Sequence, residues 1–301
     1  MKADKNLLFS LWTAAIVLCV ILSVFALFFS ACAKTEEPQT GKTEFTIETE
    51  PPGASSESGD GTAGTENTGP GTAESPAETP EQPVTAPPAV DYPTRLGETP
   101  DAGREYLDKF VFLGDSTTYG IGVYYNYGYT ELCPPSQVWT PASGTLTLSY
   151  YNIATIVYPE TGEELNIVDA AERAKPEIMM ITLGVNGVSF MDEEWFIRDY
   201  TDLVKSIQDA SPDTKIILNS IYPVAASYAY QKDINNDKIR AANGWIERIA
   251  DNTGCRFLNS FECLVGADGY LPESCQNGDG LHLTGEAFTT VMNYIRTHAY
   301  Q

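Results

Sequence analysis

Short apolar runs recur along the last two thirds of the chain. Each is followed by a polar or glycine-containing break, and most are then followed by apolar residues at three- to four-residue spacing. Phe110-Val111-Phe112-Leu113 leads into Gly114. Ile178 to Leu183 follows Glu177 and leads into Gly184. Lys215 to Ile221 and Arg256 to Leu258 repeat the pattern. Runs of this length, rich in β-branched and aromatic residues, predict strands buried on both faces. Between them, Ile167 to Lys175 has helical spacing and stops at Pro176. Met191 to Ala210 places Trp195, Phe196, Tyr200, Leu203, Val204 and Ile207 on one stripe, with Asp192, Glu193 and Glu194 in its first turn, where acids suit the macrodipole. Asp237 to Asn252 and Thr284 to His298 complete the helices, and Tyr222 to Asn236 forms a long loop. Strands alternating with helices in this way predict an α/β fold with a parallel sheet covered on both faces.

The stretch from Tyr119 to Tyr151 breaks that rhythm. It holds Tyr119, Tyr124, Tyr125, Tyr127, Tyr129, Trp139, Tyr150 and Tyr151. Val138 to Thr140, then Gly144 to Ile156 with its Thr-Leu-Thr-Leu alternation, reads as short strands around a turn. Tyr158 to Gly162 carries a turn signal, and Gly120-Ile121-Gly122 reads as another. The aromatics either floor a sugar-binding or acyl cleft, or pack the body as strand residues.

The N-terminal third has a different composition. Lys2 and Lys5 precede an apolar run from Leu7 to Cys32, long enough for the roughly 20 residues that cross a bilayer. The lysines place the N-terminus in the cytoplasm and the remainder outside. Phe29-Ser30-Ala31-Cys32 also resembles a lipobox, so residues 1–32 are either an uncleaved anchor or a lipoprotein signal with Cys32 as the lipidated residue. Both readings tether the protein to the outer face of a membrane, that of a bacterial cell. Residues 33–92 are dominated by Thr, Pro, Glu, Gly, Ser and Ala and bury too little apolar surface to order, so they read as an acidic linker. The folded domain is assigned to residues 93–301, about 200 residues and enough for one core.

The net charge of −23 is spread over linker and domain, which argues against nucleic acid and anionic lipid as partners. Six cysteines include no Cys-x-x-Cys pair, and with only two histidines in the chain a zinc site is not expected. Export permits one disulfide among Cys255, Cys263 and Cys275.

Candidate chemistry centres on Ser116, presented at a strand's carboxyl end, where open α/β sheets bind ligands. A serine becomes a nucleophile when a base takes its proton and an acid orients that base. Elimination selects the base: His298 ends the last helix, whereas His282 lies in the glycine-rich loop Asn277-Gly278-Asp279-Gly280-Leu281-His282. Asp279, three residues earlier, is placed to accept from the imidazole. Asn186 follows the strand after Ser116's own neighbourhood and lies on the same edge, so its amide and the Ser116 N–H can serve as oxyanion donors. Asn186-Gly187 is also a good tight turn. Asp192-Glu193-Glu194 does not provide the cleft between carboxylates that a glycosidase needs.

Together Gly114-Asp115-Ser116, Gly184-x-Asn186 and Asp279-x-x-His282 resemble the SGNH, or GDSL-type, hydrolase family over roughly residues 108–300. The resemblance implies a three-layer α/β/α, flavodoxin-like sheet. It also implies a Ser116 nucleophile, a His282 base, an Asp279 orienter, oxyanion donors from Ser116 and Asn186, and ester hydrolysis without metal or other cofactor. Two positions depart from the family pattern. Gly187 stands where an aspartate is usual, and no glycine falls convincingly in the second oxyanion block. The Gly-x-Ser-x-Gly elbow of ordinary α/β-hydrolases is not met, since Thr118 occupies its last position. The expected activity is an extracytoplasmic serine esterase acting on an acyl group, with acetyl on a carbohydrate or cell-wall polymer the favoured substrate. An O-acyltransferase sharing the acyl-enzyme, and a non-catalytic wall-glycan binding module, are the alternatives.

Overall fold

A computed structural model describes residues 93–300. The anchor or signal read into residues 1–32 and the linker read into 33–92 lie outside the described residues, as does any lipidation at Cys32. The chain enters beside the far edge of the sheet, where Leu96 N–H donates to Phe257 O at 2.8 Å and Arg95 forms a two-pronged ion pair with the buried Glu247 (2.6 and 2.7 Å).

Helix α1 (Arg104–Leu107) precedes strand β1 (Phe110–Gly114) and helix α2 (Ser116–Asn126). A short β2 (Val138–Trp139) follows, then a hairpin of β3 (Thr155–Val157) and β4 (Glu164–Asn166). Next come α3 (Ile167–Ala174), β5 (Ile178–Thr182), α4 (Glu193–Ala210), β6 (Lys215–Asn219) and α5 (Asn236–Thr253). Strand β7 (Arg256–Leu258), a single turn α6 (Phe261–Leu264) and α7 (Gly285–Arg296) close the chain.

The main sheet runs β2-β1-β5-β6-β7, every pair parallel. With the separate hairpin set aside, this is the flavodoxin-like order. Successive side chains of a strand face opposite layers. Phe110, Phe112, Ile178, Met180 and Ile217 therefore pack with α1, α2 and α7 (Leu107, Ile121, Phe288, Val291). Leu113, Met179, Ile181, Ile216 and Leu218 pack on the other side with α3, α4 and α5 (Ala170, Phe196, Leu203, Ile246). Each fully buried side chain of this size contributes about 1.5–3 kcal/mol, and burial on both faces explains why the strands read as unbroken apolar runs.

Three details differ from the sequence reading. Gly120 and Gly122 are not a turn but lie inside α2, where the missing side chains admit Phe288 and Pro135; a Cβ on Gly120 would come within 2.7 Å of the Phe288 ring. Thr145 to Leu148 is not a strand: Leu146 and Leu148 are buried as the alternation implies, but the segment has no strand partner and turns into a single 3-10 turn at Leu148–Tyr150. Tyr158 to Gly162 is the expected turn, and it joins β3 to β4, the second of which the sequence reading lacks. Cys133, Cys255, Cys263 and Cys275 are free thiols, so the disulfide that export would permit among the last three is not formed.

Candidate active site

The strand order reverses at β1: the chain moves outward to β2 and then returns to β5 on the opposite side. That switch opens a crevice beyond the carboxyl ends of β1 and β5, the usual ligand position in such sheets. Ser116 leaves β1 and Asn186 leaves β5 at this crevice.

Ser116 is set by what surrounds Gly114. A Cβ there would lie 2.0 Å from Thr118 Oγ1 and 2.7 Å from Thr182 O, so only glycine lets α2 start so close to β5. Asp115 then caps the helix. Its carboxylate, fully buried, accepts from the Thr117 N–H (2.9 Å) and the Thr117 hydroxyl (2.7 Å). Aspartate is a preferred residue at this cap, and the Ser116 N–H, in the first turn, has no intrahelical acceptor. Burial pushes the Asp115 carboxyl up to about 6, against the two bonds from Thr117.

His282 arrives on a loop folded back on itself. Asn277 N–H donates to His282 O (2.9 Å), and Gln276 Oε1 accepts from Gly280 N–H (2.9 Å). Gly280 has φ +81°, and a Cβ on it would strike the Tyr228 backbone at 2.7 Å, while its carbonyl accepts from Ala225 N–H (2.8 Å). The loop is thereby fixed to the segment that follows β6.

The imidazole joins the two other predicted residues. His282 Nε2 is 2.8 Å from Ser116 Oγ, and Nδ1 is 2.6 Å from Asp279 Oδ2. Asp279 Oδ1 accepts the backbone N–H of Leu281 (2.8 Å) and of His282 (2.9 Å). With Nδ1 facing a carboxylate, the proton resides there, and Nε2 is left to accept from the serine hydroxyl. The bond to Asp279 raises the His282 pKa above its ordinary 6.5, although burial opposes it. For Asp279 burial works against ionisation, but the His282 ring and the two N–H donors outweigh it and hold the carboxyl at about 2. His298 stays apart: its Nδ1 is 2.9 Å from Tyr294 O and its ring stacks on Tyr294.

Asn186 is at the same edge, in a turn closed by Gly187 N–H to Gly184 O (2.8 Å). Its Nδ2 donates to Leu146 O (3.1 Å) and to Asp115 Oδ2 (3.3 Å), and two acceptors fix the amide orientation. A Cβ on Gly187 would meet Met191 Sδ at 2.8 Å. Gly144, in the loop after β2, does not offer a free donor, because its N–H is bonded to Pro141 O (2.8 Å). Sequence reasoning missed Asp115 and Leu146 as partners of Asn186. Asp115 had a signal, an N-cap residue ahead of Ser-Thr; a backbone carbonyl carries none.

A flavodoxin-like sheet that joins serine, histidine and aspartate beyond β1 is the SGNH hydrolase fold. The profile of the GDSL-like Lipase/Acylhydrolase family matches residues 112–288, and the chain belongs to that family. Among solved structures, the chain is similar to a GDSL-like lipase from Bacteroides thetaiotaomicron, with 19% identity, 64% of this chain and 89% of that one covered, and a TM-score of 0.44. It is also similar to the periplasmic domain of a lipopolysaccharide acetyltransferase from Salmonella ser. Paratyphi A, with 17% identity, 64% and 83% covered, and a TM-score of 0.44. No curated protein sequence matches it.

Proposed function

We propose that the protein is a serine carboxylic-ester hydrolase, tethered by its N-terminal segment and working outside the cytoplasm on an acylated small molecule or glycan. The observation that carries the reading is the unbroken contact from Ser116 Oγ to His282 Nε2 (2.8 Å) and from His282 Nδ1 to Asp279 Oδ2 (2.6 Å). Ser116 Oγ attacks the ester carbonyl as its proton passes to His282 Nε2. The carbonyl oxygen, now negative, is held by the Ser116 N–H and the Asn186 amide. The C–O bond to the alcohol breaks, and His282 returns the proton to the departing oxygen. Water then adds to the acyl-enzyme with His282 as base, releasing the acid and restoring Ser116.

The His282 and Asp279 side chains are 31% and 46% exposed, so water reaches the acyl-enzyme readily, which favours hydrolysis over transfer to a sugar hydroxyl. The apolar run from Leu7 to Cys32 supports the membrane tether and the extracytoplasmic location. A fluorophosphonate probe tests the reading. The native full-length chain is expected to label, and Ser116→Ala to lose both labelling and about 10⁵–10⁶-fold of ester hydrolysis. A native chain that does not label overturns the esterase assignment.

A further inference from the structure

A groove of about 500 Å³ runs along α2, the helix that Ser116 opens, and none of Ser116, Asn186, Asp279 and His282 lines it. This volume lies within the usual range for a small-molecule site, roughly 300–1,000 Å³. Tyr119, Val123 and Asn126 of α2 line it on one side, and Val138, Pro141 and Val157 are among the residues that line the rest. At 3.6 residues per turn, Ser116, Tyr119, Val123 and Asn126 share one stripe of the helix. Gly120 and Tyr124 turn instead towards α7, where Tyr124 meets Phe288 with ring centroids 6.0 Å apart. Ser116 therefore stands between two flanks: α7, which follows His282, on one side, and the groove on the other. Thr140 and Pro141 bring the mouth level with the nucleophile, because they directly follow β2, whose Trp139 pairs with Leu113 of β1.

We infer that this groove binds the acyl limb of the ester, as an uncharged chain of medium length. The inference rests on the esterase reading, since it follows from how four substituents are distributed around the attacked carbon. One is Ser116 Oγ. The oxyanion points to the Ser116 N–H and Asn186, on the β5 side. The departing oxygen must stay near His282 Nε2 to receive its proton. The remaining direction, towards β2 and away from α7, belongs to the acyl chain, and it leads to Thr140 and Pro141, which line the groove.

The lining selects the chemistry. No charged side chain lines it, although the chain carries a net charge of −23. Valines, prolines and the half-exposed Tyr119 ring provide apolar contact, and from Ser116 to Val123 the helix advances about 10 Å, at about 1.5 Å per residue. A two-carbon acyl group would leave most of that length empty. Tyr119 and Val123 are specificity-determining in this arrangement, with no part in the bond changes themselves.

The test measures kcat/KM of the purified full-length chain on p-nitrophenyl acetate, butyrate, octanoate and dodecanoate. Octanoate is expected to exceed acetate by about tenfold or more, since one methylene in a closed apolar pocket discriminates by about 10–200-fold and an open groove gains much less. Val123→Phe on α2 and Ala142→Phe on the exposed rim are each expected to lower the octanoate-to-acetate ratio about tenfold. The two substrates meet the same preparation, so a partly misfolded variant loses both rates and keeps its ratio. A native preference for acetate, or a ratio unmoved in both variants, overturns the groove assignment while fluorophosphonate labelling keeps the esterase reading intact. Absence of labelling in the native chain overturns the esterase reading and this inference with it.

Discussion

The two flanks of β1 are built to different standards. Towards β5 it is paired from Phe110↔Ile178 to Gly114↔Thr182, over its whole length, and Gly114 leaves no space for even a methyl group at the end of that pairing. Towards β2 only Phe112↔Val138 and Leu113↔Trp139 are paired, and the chain beyond is a loop, a single 3-10 turn and a detached hairpin. The first flank holds Ser116 and Asn186, whose atoms, in the proposed reaction, must meet a developing charge within a few tenths of an ångström. The second walls the groove, where shape and apolar contact suffice and an irregular backbone is no handicap. In that reading, regular pairing is placed where bonds change, and irregular chain where the acyl limb is held.

Substitutions can break this division or sharpen it. The largest effect short of removing the nucleophile is expected from Asp279→Asn, which keeps the shape but loses the charge that orients His282: hydrolysis should fall about 10³–10⁴-fold. The same variant tests the titration. Because Asp279 raises the His282 pKa, the native rate should rise with pH through a midpoint above 6.5, and in Asp279→Asn that midpoint should move down. A midpoint that stays in place would assign the limb to another group. Asn186→Ala should cost about 10²–10³-fold in kcat, the usual loss for one oxyanion donor. If it changes the rate no more than that of a surface variant, the β5 flank is not where the charge develops. The smallest effect is on stability. Gly114→Ala should destabilise by about 1–3 kcal/mol through overpacking, seen as a lower urea midpoint. On the β2 flank, by contrast, the exposed Thr145→Ala should stay within about 0.5 kcal/mol. Equal losses at both positions would erase the contrast.

The sheet and its far helices were legible because their signals are local and redundant. Ile178 to Thr182 is buried along its whole length, and Phe196, Tyr200, Leu203, Val204 and Ile207 keep one face of α4 against it. The contact between Ser116, His282 and Asp279 was legible for a different reason, the scarcity of histidine: His282 alone has a carboxylate and a strand-end serine to serve. What failed to show was decided by residues distant in sequence. Two glycines inside α2 look like a turn until Phe288, far along the chain, fills the space beside Gly120 and Pro135 that beside Gly122. Thr145 to Leu148 alternates correctly between exposed and buried, but a period of two reports burial and not whether a neighbouring strand exists. Asn186 was placed at the right edge, whereas its hold on Leu146 O depends on a loop path that no side-chain pattern encodes.

The buried cap Asp115 has a further consequence, for when the enzyme is active. It and His282 both bind a proton more tightly in the fold than in the open chain, Asp115 near 6 against an ordinary 3.8 and His282 above 6.5. Stability from His282 is fully present below about 6.5 and is lost as pH rises through its raised value, whereas that from Asp115 is fully present only below about 3.8 and is lost progressively up to about 6. Asp279, held near 2, contributes in the opposite sense only at pH values around and below 3.8. Turnover follows the reverse course, since the imidazole works only once it has lost its proton. Urea midpoints and kcat/KM recorded across the same buffers should therefore peak at different pH values, with greatest durability on the acid side of greatest speed. Acid would then act as a resting medium, keeping the molecule folded and idle until its surroundings turn neutral.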